Sequence, residues 1–196
     1  MPAWADALEP GAPDIVAAWR GIEAGRFISV RREVRRRADR DSAPRIVGQL
    51  ATLADGLATI VRDLPRHAFG LPGGEEDWTV AQTIGHDVHA RAGLTLAASL
   101  AASGRWPSTA PVVVPGVPGP ADADREGLLR RIDVSQRAVE RAARAVAGHE
   151  LDDCPLVHPL VGRLRCGEWL VFAGVHDLMH LEQLHRLAGE LALAPR

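Results

Sequence analysis

His176 and His180 lie four residues apart in a proline-free stretch, 167–189, that reads G-E-W-L-V-F-A-G-V-H-D-L-M-H-L-E-Q-L-H-R-L-A-G. On a helix that spacing puts both imidazoles on one face, one turn apart, close enough to grip a single metal ion. At about 100° per residue, Trp169, Gln183 and Leu187 share their stripe, while His185 points the opposite way. Leu170, Val171, Phe172, Val175, Leu178, Leu181 and Leu184 cover the remaining directions, so neighbours are expected to enclose this helix. Gly189 is its expected stop. The residue after the first histidine is Asp177, whose stem is too short for the base role of an H-E-x-x-H protease. A His-x-x-x-His pair also occurs in helices that bind nothing, so a metal site needs a further ligand from another element.

That ligand must be carried by a second long helix. Asp77 is a good N-cap for a helix over 78–103, which bears His86. Thr79, Gln82, Thr83, Ala90, Gly93 and Ala97 share the His86 stripe, and all but Gln82 are small. They would admit another helix closely or leave room for a ligand. His89 sits about 60° to one side and is the alternative ligand. Ahead of this helix, Ser42 and Pro44 open another, whose Ile46, Leu50, Leu53, Leu57, Ile60 and Leu64 form a heptad-like seam ending at Pro65. A third, over 122–147, turns Leu128, Ile132, Ser135, Val139, Ala142 and Val146 inward and stops at Gly148.

Residues 104–120 hold five prolines and are expected to be extended and semi-rigid. Such a segment reaches about 50 Å, more than the ~38 Å of a 25-residue helix. It can therefore return along a bundle and leave its flanking helices parallel. Residues 149–166 read as an irregular link, and no strand pattern stands out. Residues 1–12 are expected to be loose, and 14–24 to form a short helix anchored by Trp19. Residues 26–41 carry seven arginines around Phe27, Val30, Val34 and Ala38, which fits an amphipathic basic helix. We read it as a solvated face lying across the main body, in preference to a nucleic-acid-binding arm.

The chain has 196 residues, 46% of them apolar and 24% charged, enough for one packed domain. All 23 cations are arginine, and a net charge of −2 offers no general attraction to nucleic acid or an anionic membrane. Cys154 and Cys166, twelve apart, match no zinc or redox spacing, so a reduced, cytoplasmic setting is expected. Asp6 and Glu9 interrupt any apolar leader, and no run reaches the ~20 apolar residues of a membrane span.

W-T-V-A-Q-T-I-G-H-D (78–87), H-P-L-V-G-R-L (158–164), G-E-W-L (167–170) and H-D-L-M-H-L-E-Q-L (176–184), in this order and spacing, resemble the DinB-like family of metal-dependent enzymes. The resemblance covers about residues 42–188. It implies an all-α fold: a four-helix bundle, up-down-down-up, with a long crossover between helices 2 and 3. An N-terminal helical arm (1–41) precedes the bundle (42–196), and many members of the family form homodimers. Carried over, the metal ligands are His86, His176 and His180. Gln183, His89 and Trp169 remain candidates for supporting the ligands or touching substrate, although Trp169, like Trp78, also suits packing at a bundle end. His67, His149, His158 and His185 read as ordinary loop or surface residues, with His158 shaping the entry to the last helix.

Three imidazoles leave an open position on a divalent ion, zinc, nickel, copper or iron being equally compatible. A metal-bound water or thiolate there implies a hydrolase, or a transferase using a low-molecular-weight thiol cosubstrate, acting on a small electrophile. No protein base is assigned. The alternatives are a non-catalytic metal- or ligand-binding stress protein and a nucleic-acid-associated protein using the 26–41 arginines.

Overall fold

The computed structural model describes residues 2–23, 26–74 and 77–193, with the side chains of Phe27 and Leu193 outside the description. Four long helices dominate: α4 (Ala43–Asp63), α5 (Val80–Ala102), α6 (Arg125–Val146) and α7 (Cys166–Leu193). Before them come α1 (Ala3–Leu8), α2 (Pro13–Arg20) and α3 (Phe27–Arg35), and a short 3-10 turn, Arg66–Gly70, follows α4. The fold is mostly helical, and periodicity explains its frame. Every residue of the α4 seam is buried, as is the whole inner stripe of α6, and Gly148, two residues past the end of α6, turns the chain with φ +83°. α7 is apolar on nearly every side over its first two-thirds because that part is packed on α2, α3, α4 and α5.

Several local expectations need correction. Of residues 1–12, expected to be loose, 2–12 are ordered: α1 forms there, with Trp4 packed against Trp19 and stacked on His185 at 5.0 Å between centroids. α2 ends at Arg20, and its anticipated end at Ala24 lies outside the described residues. Phe27's place on the buried stripe of α3 lies outside them too, while Val30, Val34 and Ala38 are buried as expected. Ser42 stands before α4 without capping it; the buried carboxylate of Glu150 accepts from Ala43 N–H instead (3.2 Å). The N-cap of α5 is Thr79, not Asp77. A reciprocal box with Gln82 outcompetes the simpler aspartate cap. Gly189 does not stop α7, which runs on to Leu193.

The link expected to be irregular contains a β-hairpin, β1 (Asp153–His158) and β2 (Gly162–Arg165), antiparallel with His158 opposite Gly162. Pro155 and a register irregularity between Asp153 and Val157 hide the strand alternation. The proline-rich crossover is pinned to this hairpin: Val157 O accepts from Val114 N–H (3.0 Å), and Val157 N–H donates to Val112 O (2.6 Å). Further on, Gly119 N–H donates to Gln82 O (2.9 Å), so the crossover returns from the end of α5 to its first turn. Two glycines make that return possible. A Cβ on Gly85 would sit 2.8 Å from Gly119 Cα.

The arginines of 26–41 are largely engaged locally: Arg32 pairs with Glu23 and Glu33, Arg36 and Arg37 with Glu33, and Arg35 with Glu168 of α7. No described helix is long and apolar enough to cross a membrane.

Candidate metal centre

α5 and α7 pack side by side and bring His86 of the first against His176 and His180 of the second. Ring centroids lie 5.4 Å apart for His86–His176, 5.3 Å for His86–His180 and 4.6 Å for His176–His180. One nitrogen from each ring falls within 4.8 Å of the others, a grouping able to hold a metal ion. Each ring is held from behind through Nδ1. That of His86 donates to Val117 O of the crossover (2.8 Å), that of His176 to Asp87 Oδ1 (3.2 Å), and that of His180 to Gln183 Oε1 (3.0 Å). Protons on all three Nδ1 atoms put the basic lone pair on Nε2, the tautomer a ligand requires. Burial, the largest influence, holds the His86 imidazole below its usual range despite the Val117 bond, which keeps it neutral.

Behind the imidazoles lies a buried ionic group. Arg91, fully buried, ion-pairs with Asp177 (3.2 Å) and donates to Leu50 O of α4 (2.9 Å) and Gln136 Oε1 of α6 (3.1 Å). It therefore ties α5 to the other three long helices. Burial, only partly offset by Arg91 and reinforced by Asp87, raises Asp177 well above the carboxylate range. Burial also opposes charge on Asp87, but the His176 bond, with His180 and Arg91 nearby, prevails and holds its carboxyl below the usual value. Asp87 directs its charge at His176, while Asp177 faces Arg91. Asp87, His176 and Asp177 form a second grouping of metal-ligand type among the described residues. Arg91 occupies its charge balance.

A family model of the DinB superfamily matches residues 49–184, more than half of the chain. The chain belongs to the DinB superfamily. No match was found among curated proteins or among solved structures. In DinB terms the grouping of His86, His176 and His180 is the candidate centre, and a divalent ion suits its all-imidazole donor set.

The other candidates fall in different places. Gln183 is buried and fixed from both ends, receiving His180 N–H and donating to Gly73 O. His89 is exposed at the rim of the neighbouring cavity and does not join the group. Trp169 is wholly buried, edge-on to Phe172 at 5.7 Å, and does not line the cavity. His158 is more than a loop residue. It lines the cavity edge-on to Phe172 (4.9 Å), and its Nδ1 accepts Leu160 N–H (3.2 Å), leaving the ring proton on Nε2. Burial, with the nearby His176, lowers its pKa to about 4. Asp87 and Arg91 had drawn no role from the sequence, and His158 only that of shaping the entry to the last helix. The available signal was an acid and a base at i and i+4, Asp87 and Arg91, on a helix whose other inward residues are apolar or small.

Proposed function

We propose that this DinB-superfamily chain is a metal-dependent enzyme, a thiol-dependent S-transferase in preference to a hydrolase, with His86, His176 and His180 as its ligands. One observation carries the reading: three imidazoles from two helices meet with every Nδ1 held by an acceptor, and one nitrogen from each ring lies close enough to the others to share an ion. A divalent ion held this way supplies a Lewis-acidic open position that lowers the pKa of a thiol or water toward neutrality. The protein's part is to fix the rings. Asp87 adds negative charge behind His176, Gln183 locks His180, and the crossover carbonyl sets His86. Transfer is favoured over hydrolysis because Asp177, where a zinc protease keeps its base, is turned to Arg91.

The chain course taken with this reading is up-down-down-up. Supporting it, Arg125 at the start of α6 reaches Leu64 O at the end of α4, and Glu150 joins the starts of α4 and α7.

Elemental analysis of purified protein tests the ligand set. About one divalent ion per chain is expected, lost in His176→Ala. An equal metal content in that variant would refute the assignment. Turnover of an electrophile panel with low-molecular-weight thiols, with and without metal, then separates an enzyme from a metal-binding protein without catalysis.

A further inference from the structure

The cavity beside the three histidines has a volume of about 1130 Å³. Pockets that enclose a drug-sized ligand measure about 300–1,000 Å³. A small electrophile would fill a fraction of this one. Its length is set by α5, whose Thr83, His86, Ala90, Gly93, Ala97 and Leu100 all line it. Their 3-4-3-4-3 spacing keeps one face turned to the cavity over about 25 Å of helix. The floor of that face is cut low by small residues. A Cβ added to Gly93 would meet nothing within 4 Å.

Polarity is divided along this length. The charged lining residues Arg20, Glu23 and Arg26 come from the α2–α3 region, and Glu182 comes from α7 just past His180. Arg20 is taken up by Asp6 and Glu9, and Arg26 by Glu23. The α2 side is tied to the far part of α7 through the Trp19, Trp4 and His185 rings, and Glu182 and Gln183 stand within one turn of His180. Away from the histidines the lining is apolar, with Ala97 and Leu100 at the end of α5 and Trp106 just after it; Val114, Leu156 and Val161 add further apolar wall. Covering such a wall with an apolar ligand is favourable by roughly 25 cal/mol for each Å² removed from water.

We infer that the molecule brought to the three histidines is amphipathic, with a polar head at the imidazoles and an aliphatic or aryl body laid along the α5 face between Ala90 and Leu100. This deepens the proposed function by naming a substrate class, and only the head's role depends on that reading. The body's binding depends on the cavity walls alone.

Calorimetric titration of the metal-free protein with alkyl hydroxamates, butyl to octyl, tests the inference. Kd should fall about threefold for each added methylene, close to the full transfer value. Gly93→Leu plugs the channel in open space two turns from His86 and improves helix propensity, so it should fold. It should erase most of the octyl advantage and leave butyl binding unchanged. Trp106→Ala, in the cavity wall just after α5, should weaken octyl by about tenfold with butyl again unchanged. A Kd independent of chain length in the wild type, or an undiminished slope in both variants, overturns the inference. Repeating the series with zinc separates the two proposals. A common gain at all lengths that His176→Ala removes reports the ligand set, while the chain-length slope reports the cavity.

Discussion

Asp87 is the residue on which the candidate centre most depends after the histidines themselves. It is fully buried and gives one oxygen to His176 Nδ1–H. Asp87→Asn keeps the shape but removes the charge that makes His176 a better donor. Metal affinity should fall about 10- to 100-fold, measured by competition with a chelator, since partners behind ligands carry effects of that size. An unchanged affinity would show that the carboxylate does not tune the ring. His158 makes a separate prediction about pH. Folded, it stays neutral down to about 4; unfolded, it binds a proton near 6.5. The unfolded state therefore takes up the extra proton between those values, and His158's contribution to stability is lost as pH falls from about 6.5 to 4. Thermal melts across this window should be less pH-dependent in His158→Gln than in the wild type. Parallel curves would remove His158 from the acid response.

Among the elements, the seam between α5 and the crossover holds the site in shape. The backbone of Gly119 lies against Gly85, one residue before His86, and Val117 two residues upstream supplies the carbonyl for His86. Gly85→Ala weighs two effects against each other. Alanine is better than glycine inside a helix by about 1 kcal/mol, but its Cβ would stand 2.8 Å from a backbone atom that has no side chain to move aside. Overpacking wins, at roughly 1–3 kcal/mol of net destabilisation in denaturant unfolding, with weakened metal binding as the crossover shifts. A variant that is more stable and keeps its metal affinity would mean the seam is loose. The hairpin also acts as an element: it anchors the crossover by pairing Val157 with Val112 and Val114, and it sets His158 and Leu156 in the cavity wall.

Taken as a whole, the molecule has one core that extends beyond the long helices. Ile15 of α2 is fully buried, and its methyls fill the space above Gly174 of α7 beside Leu50 of α4. Gln49 of α4 accepts the N–H groups of Asp14 and Ile15, holding the start of α2 (2.9 and 3.1 Å). Ile15→Ala should therefore cost about 2–5 kcal/mol in a single cooperative transition, the range for a truncated core side chain. Two transitions, or a loss under 1 kcal/mol, would mean that α2 rides on the bundle without sharing its core. The same packing accounts for the arginine-rich stretch: Glu23, Glu33 and Glu168 absorb much of its charge, and Val30 and Val34 bury its other side.

The amphipathic seams of α4 and α6, the largely apolar α7 and the His176/His180 pair were legible in the chain because each is a local pattern. A period near 3.6, or a spacing of four, needs no distant partner to be seen. The turn chemistry was harder, since Thr79 with Gln82 competes with Asp77 and only the folded backbone selects between them. The hairpin stayed hidden because short strands with a proline and an irregular register have no clear alternation. Nothing local revealed that Asp87 would meet His176, that Arg91 would join all four long helices, or that His158 would face a cavity. Those partners are separated by tens of residues, and packing alone brings them together. Covalent spacing decides which side of a helix a residue occupies; which groups stand opposite depends on how the helices enclose one another.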